Sequence, residues 1–557
     1  MLHSRRRSNI IVGKSVLILH SHLPLVRHPE YETFLEERWL FEAISETYLP
    51  LLRMLHRLDT EGIPSPMAMC FSPTLSFMLQ DPLLMERYGQ FLDKTIELAE
   101  QELERTAGDP QLSPLAQMYH ARYTTDREEL HSLYGGNILQ GFERFSRKGT
   151  IELIATAATH AFLPNYRNYS EVVRCQVELG IESHVKHFGR PPRGFWLPEC
   201  GYYEGLDRIL ADAGVEYFVG AAHGVLFGEP SPATGTYAPL ATKAGVAVFP
   251  RDVYTATWVW SSDQGYPSHP SYRDFYRDIG YDLPLEQVGP FIHDGNVRID
   301  TGFKYHAITG PTDDKVLYDQ EAGRRQAREH ALDFYTRQKE HSARLSEIFP
   351  VEPVMTSPFD TELFGHWWFE GPLWLEELFR VAHEDQQKSL GANGAEGVSF
   401  SMTTPSAYLD DCGTAGQVCP TFSSWGSGGY AQVWMDGSND WIYRHTHQAV
   451  ERMAELVARF PDESGLKERA LNQAAREVLL SMGSDWPFIM NARTVVTYAE
   501  RRLKEHLYNF TRVYDALSQR NMGTEWLTRL EKKHPLFPDL DYRRMKRATT
   551  EALRDLT

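Results

Sequence analysis

Short apolar runs rich in β-branched and aromatic residues recur along the chain, at 16–19, 67–71, 151–156, 194–197, 217–220, 247–249, 351–356 and 398–402. Each is followed by a loop and then a helical pattern, the order expected of parallel strands joined by helical crossovers. Between the first two runs, Leu40, Ile44, Tyr48, Leu51, Leu55 and Leu58 fall at helical spacing and would bury one face against a sheet. Seven or eight such units predict a closed or nearly closed barrel. The fold class is therefore α/β, with a distorted TIM-like barrel at its centre.

The segment 225–237 is rich in Pro and Gly and reads as a long loop, the start of an excursion over about 225–300. Beyond about Asn439 the pattern turns helical, with Leu503, Leu507, Phe510, Val513 and Leu517 on one face. Residues 1–430 are accordingly expected to form a catalytic barrel with that excursion. Residues 431–557 would form a C-terminal helical domain that contributes to the cleft.

Side chains that follow barrel strands converge on one mouth, so chemistry is sought just past each apolar run. His20 and His22 follow the first run, His160 the third, Glu199 the fourth, His223 the fifth, and Asp360 the seventh. Two of these stand among rings, in Trp196-Leu-Pro-Glu-Cys200 and in Phe359-Asp-Thr-Glu-Leu-Phe-Gly-His-Trp-Trp-Phe-Glu-Gly-Pro372. Paired carboxylates beside aromatic rings suit glycosidic-bond chemistry, in which one acid attacks or stabilises an oxocarbenium-like centre and the other moves a proton. Each acid also has a plainer reading: Glu199 could favour the dipole of a helix beginning near Gly205, and Asp360 could cap a helix beginning near Glu362.

Composition narrows the substrate. A formal charge of −18 opposes non-specific binding to nucleic acid or to an anionic membrane, and no segment is long and apolar enough to span a bilayer. Twelve Trp and 27 Tyr offer surfaces on which a neutral sugar polymer would stack. Five scattered cysteines fit a reducing cytoplasm better than a disulfide framework. Arg5-Arg6-Arg7 followed by an apolar run imitates a signal peptide, but Lys14 interrupts it and 15–20 reads as a buried strand. His20-x-His22 on a strand would present both rings on one face, which invites a metal site and a deacetylase-like barrel. With no third ligand at tight spacing, histidines that bind sugar hydroxyls or position Glu199 fit better, and no metal or cofactor is expected. The glycine-rich 423–430 lacks the Lys of a phosphate loop and reads as a sugar-binding loop with Trp425 as platform. Ser484-Asp485-Trp486 repeats the pairing of acid and ring.

These motifs, with His20-Ser-His-Leu-Pro24 and Gly149-Thr-Ile-Glu-Leu153, resemble family-57 glycoside hydrolases, and within them the α-glucan branching enzymes. The resemblance implies a seven-stranded (β/α) barrel, a retaining mechanism without metal, Glu199 as nucleophile and Asp360 as acid/base. It also implies His22, Glu152, His160, Trp425 and Asp485 along the subsites, with Tyr237 as a mobile-loop tyrosine over the site; Trp196, His223, His366, Trp367 and Trp368, at strand exits or in the ring-rich stretch, are expected to bind substrate as well. The implied activity is cleavage of α-1,4 links in amylose, glycogen or maltooligosaccharides and transfer to a 6-hydroxyl, as in glycogen biosynthesis, by a monomer or homodimer. The alternatives are an α-amylase or 4-α-glucanotransferase on the same barrel, a non-catalytic glucan-binding protein, or a metal-dependent deacetylase.

Overall fold

A computed structural model of the chain describes residues 11–261, 264–293, 296–391, 399–519 and 521–547. The Arg5-Arg6-Arg7 run, Ile10 and Val398 lie outside the described residues. The strands are β1 (Ile11–Ser21), β2 (Ala68–Phe71), β3 (Glu152–Thr156), β4 (Gly194–Trp196), β5 (Tyr217–Gly220), β6 (Leu240–Ala241), β7 (Ala247–Pro250), β8 (Val354–Asp360) and β9 (Ser399–Thr403). They run in the order β6-β7-β5-β4-β3-β2-β1-β8, with β9 added alongside β1. All pairings are parallel except β6 with β7.

Closure comes from a parallel bridge between Arg251 and Thr356, with the Asp252 amide donating to the Thr356 carbonyl at 2.8 Å. This joins β7 to β8 and makes a seven-stranded parallel ring, to which β6 and β9 are appendages. Alternate residues point inward, as the two-residue period of a strand requires. Val16 and Ile18 of β1, Cys70, Ile154, Trp196, Val219, Phe249 and Val354 fill the interior as one buried cluster.

The apolar pattern placed the seventh strand at 351–356, but β8 runs to Asp360. Its extension passes through Pro358, which normally breaks a central strand. Pro358 is register partner to Ile18 on one side, and the bridge to β7 stops at Thr356 on the other, so little pairing is lost to the missing N–H. Asp360 is consequently the last strand residue, level with its β1 partner His20.

The helix predicted from Leu40 to Leu58 forms, but with a π-helical turn at Ile44–Tyr48 between its α-helical halves. Four helices intervene between β2 and β3, the longest being Pro82–Thr106 and Ser113–Ser132. These two meet the irregular segment that follows β7, where Tyr119 donates to the Lys304 carbonyl and Tyr305 to Glu102, each at 2.8 Å. After β9 the chain reaches the helices Trp441–Arg459, Gly465–Ser481, Asp485–Ala492, Val496–Gln519 and Thr524–Lys533. Phe510, Val513 and Leu517 are buried there with Leu471, Val478 and Met453, whereas Leu503 packs into the larger core of the barrel.

A buried carboxylate pins this helical layer. Glu477 accepts from Gln473 at 2.7 Å, from His506 Nδ1 at 2.8 Å and from His534 Nδ1 at 2.7 Å. The three titratable groups lie close enough to hold a cation. The donor hydrogen bonds already satisfy the carboxylate, and the Arg502 guanidinium, 3.5 Å from His534 Nε2, opposes a further positive charge.

Candidate active site

The mouth of the ring gathers Glu199, Asp360, Arg251, His20, His22 and His160 from five strand ends. Glu199 sits just beyond β4 with φ of 61°, and Cys200 follows at 50°. Left-handed backbone is costly for non-glycine residues and marks places where the surroundings over-determine the conformation. Here the surroundings are specific: Trp425 Nε1–H donates to Glu199 Oε2 at 2.8 Å, Ser484 Oγ–H donates to Oε1 at 2.9 Å, and the Glu199 carbonyl accepts from the Trp425 amide at 2.9 Å. The helix near Gly205 takes no part. Burial pushes the Glu199 carboxyl up to about 7, against the pull of its two donors and with help from the charge of Asp485.

Asp360 makes no capping bond to the short helix that follows it, so the N-cap reading fails. Burial raises its pKa well above the ordinary range; the charges of Glu362 and Glu199 add to this, and Arg251 opposes it. Glu362 accepts a short hydrogen bond from Tyr48, and burial raises it to about 7. Tyr48 lies in the π-helical turn, as does Glu46, the partner of His366 Nδ1. Such turns are recurrent at functional sites. Gly365 lets this loop approach, since a Cβ there would meet the Glu46 carbonyl oxygen at 1.8 Å and its φ is +118°.

The histidines form a stacked group. His20 lies 4.7 Å from Trp196 at 9°, and His22 lies 3.9 Å from His160 at 16°. His22 Nε2 meets both oxygens of Asp485 at 3.0 and 3.1 Å, and its Nδ1 meets Ser72 Oγ at 2.8 Å. Burial disfavours charge on His22, yet the Asp485 carboxylate outweighs it and raises its pKa. His20 Nε2 is thus engaged with His160, and His22 Nε2 with Asp485.

A cleft of about 530 Å³ opens beside these acids, lined by His223, Arg251, Trp260, Ser424, Trp425 and Gly429 among others. Arg251 lies over the Trp425 ring at 5.3 Å, and His223 Nε2 donates to the Gly429 carbonyl at 2.7 Å. The two tryptophans of the His366 stretch part company. Trp367 is 44% exposed, with its ring 6.3 Å from Trp260, whereas Trp368 is 2% exposed and packs on Tyr272, Phe364 and Trp374.

Two expected subsite residues stand elsewhere. Glu152 begins β3 instead of ending it, and it accepts from Tyr217 at 2.7 Å and from Ser406, closing the opposite end of the ring. Tyr237 follows a helix and precedes a strand, so its loop returns to that same end. Its carbonyl accepts from the amide of Val354 at the start of β8, and its ring packs on His341 and Phe349. Conversely, the sequence reading gave no role to Glu362, Tyr48, Arg251 or Trp260. Glu362 was the most accessible of these, being the second acid of the Asp360 stretch.

The model of glycosyl hydrolase family 57 matches residues 16–390, and one described as 1,4-alpha-glucan branching enzyme, C-terminal, matches 445–545. The 1,4-alpha-glucan branching enzyme of Thermococcus kodakarensis is 29% identical over 91% of this chain and 74% of its own length. Among solved structures, the chain resembles an α-amylase from Thermotoga maritima, at 41% identity, TM-score 0.88, and coverage of 96% and 99% of the two chains. It also resembles a family-57 branching enzyme from Pyrococcus horikoshii, at 28% identity, TM-score 0.84, and coverage of 97% and 98%. A seven-stranded ring with two acids at its mouth, matched from β1 through β8 by one family model, makes the chain a member of glycosyl hydrolase family 57.

Proposed function

We propose that this chain is a 1,4-α-glucan branching enzyme that works by a retaining double displacement. Glu199 attacks the anomeric carbon of an α-1,4-linked glucan while Asp360 protonates the departing oxygen, which leaves a covalent glycosyl-enzyme. Asp360 then removes the proton from a 6-hydroxyl of an acceptor glucan as that oxygen displaces Glu199, forming an α-1,6 link.

The environments of the two acids support these roles. Desolvation and the charges of Glu362 and Glu199 favour the protonated form of Asp360, as the role of general acid requires. Glu199 receives two hydrogen bonds, which favour the anion and fix its oxygens. Once Glu199 is esterified its charge is gone, the repulsion that raised Asp360 falls, and Asp360 becomes easier to ionise as the base of the second step.

Branching and hydrolysis share this chemistry and differ in the acceptor. The observation that carries the branching reading is the C-terminal match over 445–545, because that stretch supplies Ser484 to Glu199 and Asp485 to His22. The likeness to the Thermotoga maritima α-amylase favours the second reading, in which water is the acceptor. Amylose incubated with the enzyme separates them. Branching lowers iodine colour without new reducing ends and yields chains released by isoamylase; hydrolysis raises reducing ends as the colour falls.

A further inference from the structure

Glu199 stands at the end of a line of four hydrogen-bonding groups, and the line has a direction. Ser484 Oγ lies 2.9 Å from Glu199 Oε1, His160 Nδ1 lies 2.8 Å from Ser484 Oγ, and His20 Nε2 lies 2.8 Å from His160 Nε2. A carboxylate only accepts, so the Ser484 hydroxyl spends its one proton on Glu199. Its oxygen must then accept from His160, which places the His160 proton on Nδ1. In a neutral imidazole the other nitrogen is an acceptor, so His160 Nε2 receives the proton of His20 Nε2. His20 Nδ1 is left as a bare lone pair, and it is buried without a hydrogen-bond partner among the described residues. That is where a one-way chain of donors has to begin.

The geometry points to His20 and His160 as positioning residues whose fixed tautomers commit the Ser484 hydroxyl to Glu199, an inference that rests on Glu199 being the nucleophile. The backbone enforces the alignment. The Ser484 amide donates to the His160 carbonyl at 2.9 Å, Ala161 and Gly483 form an antiparallel bridge, and His160 holds a φ of 54°. His20 is clamped between Trp196 and His160, with ring separations of 4.7 and 4.8 Å. Both histidines are kept neutral by burial and by the positive tendency of His22 beside them, as the tautomer argument requires. Consecutive donors polarise one another, so the chain strengthens the last bond beyond what Ser484 alone would give. The C-terminal helical layer thereby acts on Glu199 through the Ser484 hydroxyl.

The test replaces His20 by Phe, which keeps a ring on Trp196 and removes the donor, and by Gln, whose amide can stand in for Nε2–H. The acid limb of kcat/KM against pH, measured on α-glucosyl fluoride, reads the ionisation of Glu199 in the free enzyme. The other charged or titratable groups facing this region are His22, Asp485, Asp360, Glu362, Arg251 and Cys200, and all are untouched by these variants. His20→Phe is expected to move the limb upward by about 0.3 to 1 pH unit, Ser484→Ala by at least as much, and His20→Gln to restore it. Equal profiles for His20→Phe and the wild type, or equal shifts for Phe and Gln, would overturn the inference. If His20→Phe does not fold, His160→Asn, which retains an Nδ1-like donor, against His160→Leu makes the same comparison with the same two outcomes. Glu199→Gln run in parallel separates the levels: if it keeps turning over, the nucleophile assignment has failed, and not merely the donor chain.

Discussion

His20 and Asp360 are register partners on adjacent parallel strands, the last inward-facing positions of β1 and β8 at the mouth of the ring. One begins the hydrogen-bond line that ends on Glu199, and the other is the buried acid set against it. In the proposed mechanism the two halves of the chemistry are therefore tied to one β1–β8 pairing.

Glu199→Gln should abolish turnover while glucan binding persists, because the amide keeps the shape and loses the nucleophile. Asp360→Asn should lower kcat on amylose by about 10²- to 10⁴-fold, the usual worth of a general acid. On α-glucosyl fluoride, whose leaving group needs no proton, the first step of Asp360→Asn should be spared. A uniform loss on both substrates would argue against the acid assignment.

Glu362 raises Asp360 by its charge. Glu362→Gln keeps an acceptor for Tyr48 and removes that charge, so Asp360 loses its proton at lower pH. The alkaline limb of kcat/KM should move toward acid. An unmoved limb would mean that Glu362 is neutral in the working enzyme.

Trp368→Ala should destabilise the fold by about 3–5 kcal/mol, the range for emptying a buried aromatic site, and thermal unfolding reads this directly. Trp367→Ala should leave stability nearly unchanged and alter the ratio of transfer to hydrolysis. The contrast follows from 2% against 44% exposure in neighbouring residues.

The part of the stability that His28 and His506 contribute should fall as pH is lowered from about 6.5 to 4. Burial holds His28 and His506 near 4, below the ordinary value of about 6.5. In that window these two histidines bind more protons in the unfolded chain than in the native state, so their contribution rises with pH. The contribution is present above the unfolded value and is lost as pH drops toward the folded one. Unfolding curves of the wild type and His28→Gln across this range check the sign: the stability difference between them should grow in favour of the wild type as pH rises from about 4 to 6.5.

Much of the barrel could be read from apolar runs because parallel strands buried on both faces leave continuous hydrophobic signatures. The weak point was the strand that ends in Asp360, where Pro358 looks like a breaker until the one-sided pairing of β8 is known. Glu199, Asp360 and the histidines were legible through one rule, that chemistry follows strands. The same rule, applied strictly, places Glu152 and Tyr237 at the other end, since one starts a strand and the other follows a helix. Ser484 was visible in its motif, but its role was not. A hydroxyl 285 positions from Glu199 in sequence becomes its donor only when the C-terminal helices dock.

The most direct test traps the glycosyl-enzyme. Asp360→Ala, whose second step lacks its base, is incubated with a 5-fluoro-α-glucosyl fluoride, digested, and the labelled peptide sequenced by mass spectrometry. A single glucosyl adduct on Glu199, within Trp196-Leu-Pro-Glu-Cys200, is the predicted result. An adduct on another carboxylate, Glu362 or Asp485 above all, would contradict the account.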